Sequence, residues 1–249
     1  MEPPFPDFVA VPERGRRFVA HRRVRMGDAD RAGRLRLDAL ARLLQDVGND
    51  DIADAGLDAR APWVTRRTVV AGSPWPRIGE RLEFTTFCGA TGSRWAERRS
   101  SITGDRGGHV EAAALWVFVD ADSGRPARLP QWFLDTYGEA AGGRSVTARL
   151  RSGGPPASAA SRPWPLRSTD HDVLGHVNNA ATWTAVEDEC ARLGIVARVA
   201  ELEYRAALEP DEAVTLHSAR GRDGNVGIWL AVDGAVRTFA RVTPVPYQP

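Results

Sequence analysis

The chain has 249 residues, 43% of them hydrophobic, enough for one large domain or for two of a little over a hundred residues, each with an adequate core. Its formal net charge of +1 conceals that all 33 basic residues are arginine, a codon bias before it is a device for anion recognition. No apolar run of about 18 residues is present, the opening MEPPFPDFVAVPERGRRF has proline and acid where a signal peptide needs an apolar core, and Cys88 and Cys190 lack the spacing of a metal site or disulfide framework. A soluble, cytoplasmic protein is expected, with no metal or cofactor and with both cysteines buried as small hydrophobes.

In chain order, Arg14, Arg16, Arg17, Arg22, Arg23 and Arg25 come first, offset only by Glu13, Asp28 and Asp30. They predict a local basic surface, although a solvated strand face fits equally well. Leu37, Leu40, Ala41, Leu44 and Val47 then recur at helical spacing, while Leu82, Phe84 and Thr86, and later Val110, Ala112, Ala114, Trp116 and Phe118, alternate as strands do. Residues 138–161, GEAAGGRSVTARLRSGGPPASAAS, are rich in Gly, Ala, Ser and Pro and predict a linker. Beyond it, Trp183, Val186, Cys190 and Leu193 mark a second helix, and Val226, Ile228, Leu230 and Val232 another strand.

The two halves share a motif. Arg25, Asp28, Asp30 and Gly33 recur without gaps as Arg167, Asp170, Asp172 and Gly175, 142 positions later. The same offset sets Leu35 against Val177, Ala39 against Ala181, Leu44 against Val186 and Asp46 against Asp188. Two copies are too few for a solenoid. The order motif, helix, antiparallel sheet predicts a duplicated α+β unit in which a curved sheet wraps one helix, with an N-terminal domain over 1–137, the linker, and a C-terminal domain over 162–249. A fused pair of this kind forms an intramolecular pseudo-dimer and leaves a further homodimer open.

The second copy reads Arg167-Ser-Thr-Asp170-His-Asp172-Val-Leu174-Gly175-His176-Val177-Asn178-Asn179. This run resembles the hotdog thioesterase signature, an aspartate three residues before a glycine followed by His-Val-Asn-Asn. With the duplication, the chain resembles the tandem-hotdog acyl-ACP thioesterases of plants and bacteria. The resemblance implies a double hotdog fold and hydrolysis of fatty acyl thioesters, with an acyl carrier protein or coenzyme A thioester as substrate. It also implies a non-catalytic N-terminal half that shapes the acyl tunnel, and the basic N-terminal surface would then suit acidic carrier protein or coenzyme A phosphates. No interleaved aromatics or helix-turn-helix pattern points to nucleic acid, and nothing points to a membrane.

The chemistry agrees with that residue set. A thiolate of pKa near ~8.5 leaves without much acid assistance, so the site must chiefly activate water. Asp172 is the candidate base or nucleophile, and His176 the group that orients water or shuttles a proton. Gly175 allows close approach of backbone to substrate, and Val177, Asn178 and Asn179 lead into a helix whose N-terminal N–H groups suit a developing oxyanion, although the asparagines also read as helix caps. Arg25 and Arg167 read as structural partners of Asp28 and Asp170. Only the second copy has a histidine, since Arg34 stands in the first. Relative to the plant pattern, Leu174 replaces an asparagine, and Ala207 and Leu208 replace a Glu-Cys pair after Tyr204-Arg205-Ala206. Glu187 and Glu209 are the candidates for a second catalytic carboxylate. An acyl-CoA thioesterase and a non-catalytic acyl-thioester-binding module remain the alternatives.

Overall fold

The computed structural model describes residues 8–57, 62–150, 153–173 and 175–246. The chain forms two compact units, one comprising Met1–Leu35 and Leu43–Arg149, the other Arg36–Arg42 and Leu150–Pro249. In the first, strands β1 (Arg17–Arg23), β2 (Trp63–Gly72), β3 (Arg81–Thr91), β4 (Trp95–Gly104) and β5 (His109–Phe118) pair antiparallel in the order β1-β3-β4-β5-β2. Helix α1 (Leu37–Asp54) precedes β2 and helix α2 (Gln131–Ala141) follows β5. The second unit has β6 (Ala160–Pro163), helix α3 (Asn179–Arg192), β7 (Ile195–Tyr204), β8 (Val214–Arg220), β9 (Val226–Val232) and β10 (Ala235–Pro246), with strand order β7-β10-β9-β8-β6. Among the described residues no helix is long and apolar enough to cross a membrane.

The duplicated offset is geometric as well as sequential. A 3-10 turn at Met26–Asp28 recurs at Ser168–Asp170, and α1 and α3 begin at Leu37 and Asn179, each 142 positions apart. In α3 the predicted stripe is buried at Trp183, Val186 and Cys190, which lie in the core, while Leu193 is the half-buried C-cap. Asn178 caps the helix, its side chain accepting the Ala180 N–H at 2.8 Å. The segment read as a linker begins inside α2, whose Ala140 and Ala141 are buried and which stops at Gly142 in the left-handed region, and its last two residues open β6.

Strand β5 departs from simple alternation. Val110 and Ala112 are buried as expected, but Ala114, Trp116 and Phe118 are only half-buried, whereas Ala113, Leu115 and Val117 on the opposite face are buried. That opposite face carries Glu97 and Arg99 on β4, paired at 2.6 Å, with Arg99 stacked on the ring of Phe8 at 4.9 Å. A strand covered on both faces loses the period-two signal that marks a half-exposed one.

The C-terminal half of α1 docks through a buried charge. Asp51 is 1% exposed and accepts Arg16 Nε at 2.8 Å and Arg98 Nη1 at 2.5 Å, so its carboxylate is neutralised from both β4 and the segment before β1. Removing Arg98 takes one of two charged donors from this buried carboxylate and leaves it paired with Arg16 alone. Arg98→Ala is expected to destabilise the protein by about 2 kcal/mol, measured by urea denaturation.

Candidate active site

The motif loop of the second unit is built mainly from backbone hydrogen bonds. Asp172 N–H donates to His176 O at 2.9 Å, Gly175 N–H to Asp172 O at 3.0 Å, and Asn178 N–H to Asp170 O at 2.8 Å. The turn closes through Gly175 at φ +82°, where among the described residues no atom beyond its chain neighbours lies within 4 Å of an added Cβ and the backbone angle alone favours glycine. Arg167 holds the base of the loop, pairing with Asp170 at 2.9 Å while its own N–H is accepted by the same carboxylate at 2.9 Å. Val177 is buried and donates its N–H to Leu208 O at 3.0 Å, tying the loop to the segment after β7. The Tyr204 hydroxyl donates to Asn179 O at 3.2 Å and fixes the first turn of α3 to the end of that strand.

These ties bring Asp172, Gly175, His176 and Asn178 into one turn, with Val173 fully exposed at its tip. They also bring in Glu209. His176 Nε2 lies 3.7 Å from Glu209 Oε1, each side chain about half exposed. Glu187 is elsewhere: two turns along α3, its carboxylate accepts the Leu37 N–H at 3.0 Å, satisfying one of the orphan donors at the start of α1. Leu174, at the family asparagine position, lies outside the described residues. His171 leaves Nε2 buried with no hydrogen-bond partner among the described residues. Cys88 and Cys190 are both buried and free of disulfides, and burial, only partly offset by the charge of Arg98, pushes the Cys88 thiol up to about 11, so it is no nucleophile near neutral pH. Among the described residues no group of three or more His, Cys, Asp and Glu side chains is placed to hold a metal ion.

The first copy serves as an internal control. Its loop makes the same main-chain bonds, Asp30 N–H to Arg34 O at 2.8 Å and Gly33 N–H to Asp30 O at 2.9 Å, and Leu35 N–H donates to Pro76 O at 2.9 Å as Val177 does to Leu208. The side chains diverge. Asp30 accepts the N–H groups of Ala32 and Arg34 at 2.9 and 2.8 Å and pairs with the Arg34 guanidinium at 2.6 Å. Both oxygens of Asp30 are thus engaged within its own loop. In the second copy His176 stands at the Arg34 position, and its N–H has no partner among the described residues.

A second correspondence, at an offset of 132, runs through the adjoining loop. Arg77 N–H donates to Glu80 Oε2 at 2.7 Å and Glu209 N–H to Glu212 Oε2 at 2.9 Å, with Gly79 and Asp211 both at positive φ. Glu209 therefore occupies the Arg77 position, and the pair Arg34 and Arg77 of the first copy becomes His176 and Glu209 in the second.

A family model for the acyl-ACP thioesterase N-terminal domain matches residues 15–137. An uncharacterized protein of Mycobacterium tuberculosis is 30% identical over 235 residues, 93% of this chain and 94% of its own. The chain belongs to the acyl-ACP thioesterase family. Among solved structures, the 12:0-ACP thioesterase from Umbellularia californica matches with a TM-score of 0.78 at 18% identity, covering 92% of this chain and 97% of that one. An acyl-ACP thioesterase from Bacteroides thetaiotaomicron matches with a TM-score of 0.79 at 16% identity, covering 92% and 98%. At such identities these likenesses establish the fold, the hotdog architecture expected from the motif and its duplication. Family membership carries the activity: this thioesterase hydrolyses fatty acyl thioesters.

Proposed function

We propose that this thioesterase releases free fatty acid from acyl-ACP at the second motif loop, with Asp172 as base, His176 and Glu209 as its supporting pair, and the first loop inactive. The observation that carries the reading is the contrast between the two loops: the same backbone frame holds Asp30 in an ion pair with Arg34, but sets Asp172 beside His176, which faces Glu209 at 3.7 Å.

In this mechanism the Asp172 carboxylate takes a proton from water as the oxygen adds to the thioester carbonyl carbon. The His176 N–H is the candidate donor to the resulting oxyanion, since the Ala180 N–H is occupied by Asn178 and those of Gly175, Val177 and Asn178 by main-chain carbonyls. Collapse breaks the C–S bond and releases the thiolate, to which the imidazole of His176 relays the proton. Glu209 orients that imidazole. Gly175 keeps the turn open to the substrate, and Val177 and Asn178 serve the loop as anchor and helix cap. Glu187, its carboxylate engaged at the start of α1, takes no part.

Glu209→Gln is expected to lower kcat for acyl-ACP roughly tenfold, about 1.4 kcal/mol of barrier, with little change in KM. Glu209→Asp should recover part of the loss, and Glu209→Gln should add almost nothing in a His176→Gln background. Full kcat in Glu209→Gln would remove the carboxylate from the mechanism. Thiol release is followed with a chromogenic disulfide, on acyl-ACP and acyl-CoA in parallel to rank the two substrates.

A further inference from the structure

The first motif loop carries Arg34 and Arg77 where the second has His176 and Glu209, and its surroundings add further cationic groups. Arg77 Nη1 donates to Ala32 O at 2.9 Å, on the loop itself. Beside it, Arg23 Nη1 and Arg106 Nη2 share a single acceptor, Gly79 O, at 2.8 and 3.5 Å, while Arg106 Nη1 reaches Ile78 O at 3.4 Å. Arg81 is the direct cross-strand partner of Arg23 in the β1–β3 ladder, a like-charge pair that disfavours the folded state. All four side chains are exposed, and among the described residues none meets a carboxylate within ion-pair distance.

The nearby acids are engaged elsewhere. Glu80 is buried and accepts the N–H groups of Arg77, Arg106 and Gly108, Asp105 accepts that of Arg81, Asp28 that of Arg25, and Asp30 pairs with Arg34. Asp50 pairs with Arg22, and Glu83 lies 3.3 Å from His21. Three guanidinium groups answered only by neutral carbonyls, with that of Arg81 beside them, constitute a surface of uncompensated positive charge, and such a surface draws anions at long range. The basic run expected from sequence is thereby redrawn. Arg16 is committed to Asp51 and Asp54 and Arg22 to Asp50, whereas Arg23 reaches the turn at Gly79 and joins the patch, and the rest comes from residues 77, 81 and 106. The corresponding loop of the second copy has the opposite charge, with Glu209, Asp211 and Glu212.

We propose that Arg23, Arg77, Arg81 and Arg106 form the docking surface for the acidic acyl carrier protein, so that one copy of the duplicated loop performs the chemistry and the other recognises the carrier. The assignment rests on the acyl-ACP reading above. A spread of exposed guanidinium groups on strand ends and turns suits an extended acidic surface more than an enclosed phosphate. The carrier's charge then governs encounter and KM, and the catalytic step is untouched.

The test uses the whole protein with Arg23, Arg81 and Arg106 all changed to Glu, and with Arg81→Glu alone, a side chain without a hydrogen bond to lose. Steady-state kinetics are compared on one acyl group carried by a bacterial ACP, by coenzyme A and by N-acetylcysteamine. The triple variant should raise KM for acyl-ACP at least tenfold, leave kcat within twofold, flatten the fall of kcat/KM with added salt and leave the N-acetylcysteamine thioester unaffected. Arg81→Glu should show a smaller shift in the same direction. An unchanged KM for acyl-ACP overturns the assignment, as does an equal loss on the N-acetylcysteamine thioester, which would mean a structural role. An equal loss on acyl-CoA overturns it in favour of nucleotide phosphates. Binding of the unacylated holo-carrier protein, read by fluorescence anisotropy, needs no turnover: if the wild type binds it and the triple variant does not, docking stands even were acyl-ACP hydrolysis absent, whereas no binding by the wild type rejects docking whatever the activity.

Discussion

Asp172→Asn is expected to lower kcat for acyl thioester hydrolysis about a thousandfold, within the range for loss of a general base and equal to about 4 kcal/mol of barrier. The amide keeps the size of the carboxylate but cannot accept the proton of the attacking water. The loop should survive the change, because the bonds that shape it, from Asp172 N–H to His176 O and from Gly175 N–H to Asp172 O, belong to the main chain. KM should therefore change little, and the melting temperature should stay within a few degrees of the wild type. Turnover within tenfold of the wild type would remove Asp172 from the mechanism.

The largest effect on stability is expected at Glu189. This α3 carboxylate is 0% exposed and accepts Arg192 Nε at 2.9 Å and Nη2 at 2.6 Å, Ser218 Oγ at 2.5 Å and Arg162 Nη2 at 3.3 Å, so it ties β6 and β8 to the helix. Burial by itself pushes the carboxyl upward, but the hydrogen bonds from Arg192 and Ser218, the charge of Arg192 and the bond from Arg162 outweigh it and hold the group below the usual carboxylate range. Glu189→Ala should cost about 3 kcal/mol, since Arg192 and a buried hydroxyl lose their acceptor and Arg162 keeps only Asp188. For a chain of this size that is roughly 10 °C in Tm. The pH dependence has a definite sign. A carboxylate whose folded pKa is depressed contributes stability above its unfolded pKa and loses it as pH falls through the folded value. The wild type should therefore lose stability on acidification below the ordinary carboxylate range, and Glu189→Ala should lack that part of the decline. Parallel curves for the two proteins would contradict this account of the cluster.

Much of the fold was legible because duplication writes itself into sequence as a constant offset. The gapless spacing of Arg25 to Gly33 against Arg167 to Gly175 located two turns and two helix starts, since identical side chains there perform identical local tasks. What escaped were contacts between distant segments. The role of Glu187 depends on Leu37, 150 residues away, and the neutralisation of Arg16 and Arg22 depends on Asp50, Asp51 and Asp54 of α1. The weight of Glu209 as a partner of His176 was hidden because its loop repeats at a different offset, 132, and shares little beyond Glu80 and Glu212; the common feature is a turn, with Gly79 in one copy and Asp211 in the other. A strand such as β5, covered on both faces, loses its alternation for the same reason: packing decided it, and packing is not local.

If the two duplicated loops divide the labour between them, paired variants should behave unequally. Asp30→Asn and Asp172→Asn are compared for thiol release from acyl-ACP, with folding checked by circular dichroism. Asp30→Asn should keep kcat within about threefold of the wild type while Asp172→Asn loses about a thousandfold. Equal losses in the two variants, or a loss confined to Asp30→Asn, would contradict that division of labour.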